Sequence, residues 1–152
     1  MIKGYFHNKK EGIISALRDY FKKREDVLMA FLFGSWIEDR ESGESDIDIA
    51  VYLKPKRNIL EWQSDNYYES EHQIWREIEK IVKKEVDLIV LNRASPTIAD
   101  SALKGIPIII KDRKFYMDFL LRITSEAIDF REWVEAFWME KERRKYEITS
   151  RR

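Results

Sequence analysis

A chain of 152 residues is long enough for one domain with a real hydrophobic core; 44% of its residues are hydrophobic and 37% charged, which excludes a disordered or fibrous chain. The 28 basic and 28 acidic residues cancel, which argues against nucleic-acid binding over the whole surface. With no cysteine there are no disulfides and no thiolate metal site. Richness in Lys, Glu and Arg without cysteine suits a heat-adapted intracellular protein. The opening "MIKGYFHNKKEG" has no apolar core of a signal peptide, and no run is apolar enough to span a membrane, so a cytoplasmic protein is expected.

In chain order, Ile13, Ile14, Leu17, Tyr20 and Phe21 recur at helical spacing and predict a helix over about 11–23. "VLMAFLF" is a continuous apolar run, read as a buried strand. "DIDIAVYL" is a second strand, closed by "KPKRN", where Pro55 and Asn58 signal a turn. Tyr68, Ile74, Trp75, Ile78, Ile81 and Val82 stripe a helix from Tyr67 to Lys84. "EVDLIVL" places a third strand at Val86–Leu91. In "SPTIADSALKG", Ser95 is the N-cap, Pro96 the first helical residue and Gly105 the terminator. "IPIIIKD" is a short strand suited to a sheet edge, because Pro107 cannot donate to a ladder. From Lys114 to about Tyr146 the pattern is helical again, with a bend expected near Asp129 to Glu132. This order predicts an α+β (α/β) domain, a small mixed sheet with helices against it. We read one domain over 1–152, with a core at about 11–112 and a helical segment at about 114–146.

The chemistry concentrates in "FLFGSWIEDRESGESDIDIAVYL". Residues two apart on a strand share a face, so Asp46 and Asp48 lie on one side with Cα atoms about 6.5–7 Å apart. Asp87 also begins a strand and joins them if that strand pairs beside the second. Three carboxylates at one sheet edge repel one another, and a hard divalent cation such as Mg²⁺ removes that cost. Two such ions would activate an attacking oxygen and stabilise a leaving pyrophosphate. A solvated pair of acids is the plain alternative for Asp-x-Asp alone. Upstream, Gly34 lets the backbone approach a ligand and Ser35 adds a hydroxyl; a short helix beginning there would offer its N-terminus to an anion. An ordinary turn is the plain alternative.

Gly34-Ser35, ten residues, then Asp46-Ile47-Asp48, with Asp87 in "VDLIVL", resembles the signature of the DNA polymerase β-like nucleotidyltransferases. The chain is similar in particular to the minimal nucleotidyltransferases (MNT) found beside HEPN partners in toxin–antitoxin pairs. "ASPTIADSALKGIPIIIKD" and "FLLRITSEAIDFREWVEAFW" look like that family's later segments, so the resemblance runs from about Ile13 to Trp138. It implies that Asp46, Asp48 and Asp87 hold Mg²⁺, that Gly34 and Ser35 hold the outer phosphates of ATP, and that Asp87 assists deprotonation of the attacking hydroxyl. It implies transfer of AMP to a tyrosine of a HEPN-family toxin, silencing it. A non-catalytic antitoxin acting by occlusion and an aminoglycoside-type small-molecule enzyme are the alternatives. The sequence departs from many relatives after Gly-Ser, where Trp36 and Glu38 replace a small residue and an arginine; Arg40 is the substitute arginine to consider.

Other features are weaker. His7 and His72 are isolated, and Trp62, Tyr67, Tyr68 and Trp75 suit packing. The runs "KPKR" and "ERRK" suit solvated faces. The last helix carries more large apolar groups than a small domain needs, among them Phe130, Trp133, Phe137 and Trp138. They complete the core or form an interface in a homo- or hetero-oligomer.

Overall fold

The computed structural model describes the backbone over residues 2–38, 46–54 and 66–150, and side chains over 9–38, 46–54 and 70–150. Arg40, Pro55, Asn58 and Trp62, and the side chains of His7, Tyr67 and Tyr68, lie outside the described residues. Among the described residues no helix is long and apolar enough to cross a membrane.

The elements run α1 (Ile2–Lys23), β1 (Val27–Phe33), β2 (Ile47–Leu53), α2 (Asn66–Val82), β3 (Val86–Val90), a 3-10 turn (Leu91–Arg93), α3 (Pro96–Leu103), β4 (Ile106–Ile110) and α4 (Arg113–Ser150). The four strands form one mixed sheet in the order β3-β2-β1-β4. β1 is antiparallel to both β2 and β4, while β2 and β3 are parallel. The parallel pair is possible because α2 carries the chain back across the sheet between them.

Alternation along the strands divides the core in two. Ile47, Ile49, Val51 and Leu53 pack with Leu17 and Phe21 of α1 and Ile74 and Ile78 of α2. On the opposite face, Ala50 and Tyr52 join Met29, Phe31, Ala99 and Ala102 of α3 and Phe119 and Ile123 of α4. Both faces of β1 and β2 are therefore covered, which is why their sequences read as nearly continuous apolar runs. Asp48 lies on the second face, at its open end.

Several boundaries differ from expectation for local reasons. α1 begins at Ile2 rather than near Glu11; its N-terminal half is held by Lys10, whose Nζ donates to the Trp36 carbonyl at 2.7 Å. α2 ends at Val82 because Lys83 takes a left-handed conformation (φ 56°) while its N–H still bonds the Glu79 carbonyl. β3 stops at Val90, and Asn92 in the following turn clamps Leu53, accepting from its N–H and donating to its C=O at 2.8 Å each. That side chain replaces a ladder partner for the end of β2. Ser95 caps α3 by accepting from the Ile98 N–H at 3.4 Å, with Pro96 in the first turn. β4 is a sheet edge, as Pro107 requires, and Arg18 of α1 donates to the Ile108 carbonyl at 3.0 Å.

The helix expected to be broken or bent near Asp129 to Glu132 is not broken: α4 is continuous over 38 residues. It contains no proline or glycine to kink it. Only Phe119, Ile123 and Ala127 are buried, and beyond Ala127 the large apolar side chains are mostly exposed. The apparent break marks where the helix leaves the body and its large apolar residues pass from buried to exposed.

Candidate active site

One end of the sheet brings together Gly34, Ser35, Asp46, Asp48 and Asp87. The antiparallel register opposes Phe33 to Asp48, and the parallel register opposes Asp48 to Asp87. Parallel pairing puts those two side chains on the same face of adjacent strands. Asp48 is half-buried, whereas Asp46, one residue before β2, and Asp87 are exposed. Leu32 pairs with Ile106, so the start of β4 lies at the same end.

Gly34 follows β1 with a φ of +82°, the left-handed region that glycine enters freely. A Cβ on this residue would stand 1.9 Å from Oδ2 and 2.9 Å from Cγ of Asp48. The bare Cα of Gly34 is thus packed against the Asp48 carboxylate. Gly105, read from sequence only as a helix terminator, has a second duty: its added Cβ would stand 2.3 Å from the Leu32 carbonyl oxygen and 2.8 Å from the Phe33 Cβ. It lets the α3–β4 turn close directly onto the last residues of β1.

Residues 35–38 form a turn, with the Glu38 N–H bonded to the Ser35 carbonyl at 3.2 Å, so the short helix considered as one possibility does not begin within them. Over these residues the turn leaves the Ser35 hydroxyl exposed and presents no helix N-terminus. Trp36 is 3% exposed and belongs to the core on the α1–α2 face. Lys10 lies over its ring, 5.0 Å from the centroid, besides bonding its carbonyl. Ser35 is therefore an exposed residue held between a glycine wedged on Asp48 and a tryptophan anchored in the core. The ring of Trp36, one of the departures from the relatives' pattern, is thus a core side chain. Neither Lys10 nor Trp36 falls on a periodic stripe that would have revealed the contact.

The carboxyl of Asp48 is held above the ordinary carboxylate range, first by burial, then by the charge of Asp87, then by that of Asp46. No cationic side chain figures among these influences. Among the described residues no three His, Cys, Asp or Glu side chains are gathered as a ready metal-binding group. Asp48 and Asp87 are ladder neighbours, while Asp46 stands outside the strand. The set still suits a hard divalent cation: its donors are all carboxylate oxygens, and among the described residues no positive charge offsets the repulsion that Asp48 meets from Asp87 and Asp46.

No curated protein matches the sequence significantly. Among solved structures, a mutant form of the toxin–antitoxin MntA-HpeT is 20% identical with a TM-score of 0.62, covering 87% of this chain and 96% of that one. A toxin–antitoxin with AMP-PNP is 19% identical, TM-score 0.60, covering 86% and 95%. A tri-AMPylated Shewanella oneidensis HEPN toxin in complex with MNT antitoxin is 20% identical, TM-score 0.58, covering 89% and 97%. These likenesses establish a shared fold. The family model described as "Polymerase beta, Nucleotidyltransferase" matches residues 15–114, a span that holds Gly34, Ser35 and all three aspartates. With that match over most of its length, the chain belongs to the polymerase β nucleotidyltransferase family.

Proposed function

We propose that this protein is an antitoxin that transfers AMP from ATP to a tyrosine hydroxyl of a HEPN-family toxin. The observation that carries the reading is the Asp48–Asp87 pair on neighbouring strands with Gly34 packed against Asp48. That puts the turn at Gly34 and Ser35 beside an acidic edge whose carboxylates repel one another. The fold it shares with toxin–antitoxin complexes, one described with AMP-PNP and one with an AMPylated toxin, supports the choice of nucleotide and acceptor.

In this reading Asp46, Asp48 and Asp87 would hold Mg²⁺, as one or two ions. A cation bound there supplies neutralisation of phosphate charge and lowers the pKa of a nearby hydroxyl. The turn at Gly34 and Ser35 offers backbone N–H groups and a hydroxyl to the outer phosphates of ATP. Pinning by Trp36 and Lys10 limits reorganisation of that turn when the triphosphate arrives. Asp87 is exposed and so open to an acceptor, and its carboxylate takes the proton of the tyrosine hydroxyl. The phenolic oxygen forms a bond to the α-phosphorus, the bond from that phosphorus to the bridging oxygen breaks, and pyrophosphate leaves with the electron pair. An unperturbed tyrosine has a pKa of about 10, so this proton must be removed for attack near neutrality.

The test is intact-mass spectrometry of a HEPN-family toxin from the same genome after incubation with the protein, ATP and Mg²⁺. We expect adenylyl additions on a tyrosine, abolished by Asp46→Asn with Asp48→Asn. A toxin neutralised equally by wild type and the double variant, with no mass change, would show occlusion instead. Adenylylation of an added aminoglycoside and of no protein would favour the small-molecule alternative.

A further inference from the structure

We infer that the distal half of α4 is a self-association surface, on which a second copy of this chain lays its own α4 in antiparallel register. This goes beyond the transfer reaction and does not depend on it.

The line of buried residues Phe119, Ile123 and Ala127 does not end where the body ends. At spacings of three and four it continues through Phe130, Val134 and Phe137, then Lys141, Arg144 and Ile148. Beside this line Trp133 stacks on both Phe130 and Phe137, with ring centroids 6.3 and 5.9 Å apart and planes within 24° and 20°. Trp133 is 63% exposed and Trp138 55%. Residues 128–150 extend over about 35 Å of helix, bearing an aromatic column that the body does not cover.

The charges along the same stretch say what covers it. Residues 126–135 hold four acids, Glu126, Asp129, Glu132 and Glu135, against Arg131. Arg131 is directed to the body, 3.7 Å from the buried Asp100 and bonded to the Ala127 carbonyl. Residues 141–145 hold four bases, Lys141, Arg143, Arg144 and Lys145, against Glu142. The point midway between the blocks falls near Phe137. A two-fold axis there sets each acidic block against the partner's basic block and brings the aromatic residues together at the centre. A parallel copy would set acid against acid. The pairs Arg143–Glu140, Arg143–Glu147 and Arg144–Glu140 within the helix are solvent-exposed and exchange readily for contacts across the dimer.

The experiment is sedimentation equilibrium on the full chain alone, at low and high salt. We expect a dimer that weakens as salt rises. Trp133→Ser with Phe137→Ser should weaken it roughly tenfold or more. Two charge variants, Glu126→Lys with Asp129→Lys and Lys141→Glu with Arg144→Glu, change exposed residues that border or lie on the line. Each should be monomeric alone, and an equimolar mixture should form the heterodimer. Circular dichroism checks that each variant keeps its helix content. A wild-type chain that stays monomeric to roughly 100 μM overturns the proposal. So does a dimer indifferent to the aromatic pair, or a mixture that associates no better than its components.

Discussion

Gly34→Ala separates the two demands that the structure makes on this residue. An L side chain in the left-handed region costs about 1–2 kcal/mol. The new methyl would also meet Oδ2 of Asp48 at 1.9 Å and Cγ at 2.9 Å, so the whole carboxylate must swing aside. An off-rotamer aspartate adds about 0.5–1.5 kcal/mol. Together these predict a loss of about 2–3 kcal/mol, or roughly 5–10 °C in melting temperature. In an Asp48→Ala background most of the second contribution is removed, because the carboxylate atoms that block the methyl are gone and only the Cβ, at 3.2 Å, remains. Urea denaturation of the four proteins of the cycle should therefore show a coupling of about 0.5–1.5 kcal/mol between the positions. AMP transfer by Gly34→Ala should fall about a hundredfold or more, since a displaced carboxylate no longer faces Asp87. If Gly34→Ala costs the same in both backgrounds, the contact between Gly34 and Asp48 does not constrain the site and the reasoning fails.

Asp48→Asn should leave the metal-free protein as stable as wild type, or more so, at neutral pH. The Asp48 carboxyl is raised in the folded state, so its stabilising share is fully present below its unfolded pKa and is lost as pH rises through its folded pKa. Wild type should accordingly gain on Asp48→Asn as pH falls from 7 toward about 4, and a pH-independent gap in urea midpoints would contradict this. Lys10→Met should cost about 1–2 kcal/mol by freeing the Trp36 carbonyl, and should weaken ATP binding, measured calorimetrically, more than it slows transfer by saturated enzyme; Lys10→Arg should recover part of both. Asn92→Ala strands the Leu53 N–H and C=O together and should lower stability by about 1–3 kcal/mol in thermal melts, while transfer at a temperature where it stays folded is unchanged.

What could be read from the chain was whatever depends on neighbours in sequence. The apolar run Val27–Phe33 became β1 without a shift, and Ser95-Pro96 opened α3 as its capping chemistry requires. Strand alternation put Asp48 opposite Ile47 and Ile49, and the spacing of Gly34-Ser35 to Asp46-Ile47-Asp48 carried the family resemblance. Pairing across long separations is different, because a register is selected by packing on both faces of a sheet and has no local signal. Only the parallel ladder makes Asp87 the neighbour of Asp48, and only the antiparallel one brings Gly34 onto its carboxylate. The burial of Trp36, the reach of Lys10 across 26 residues and the clamp of Asn92 on Leu53 are likewise products of chain closure. The large apolar residues of α4 looked the same whether they were destined for core or solvent. The body ends near Ala127, and that limit in space, which no periodicity records, left Trp133, Phe137 and Trp138 exposed.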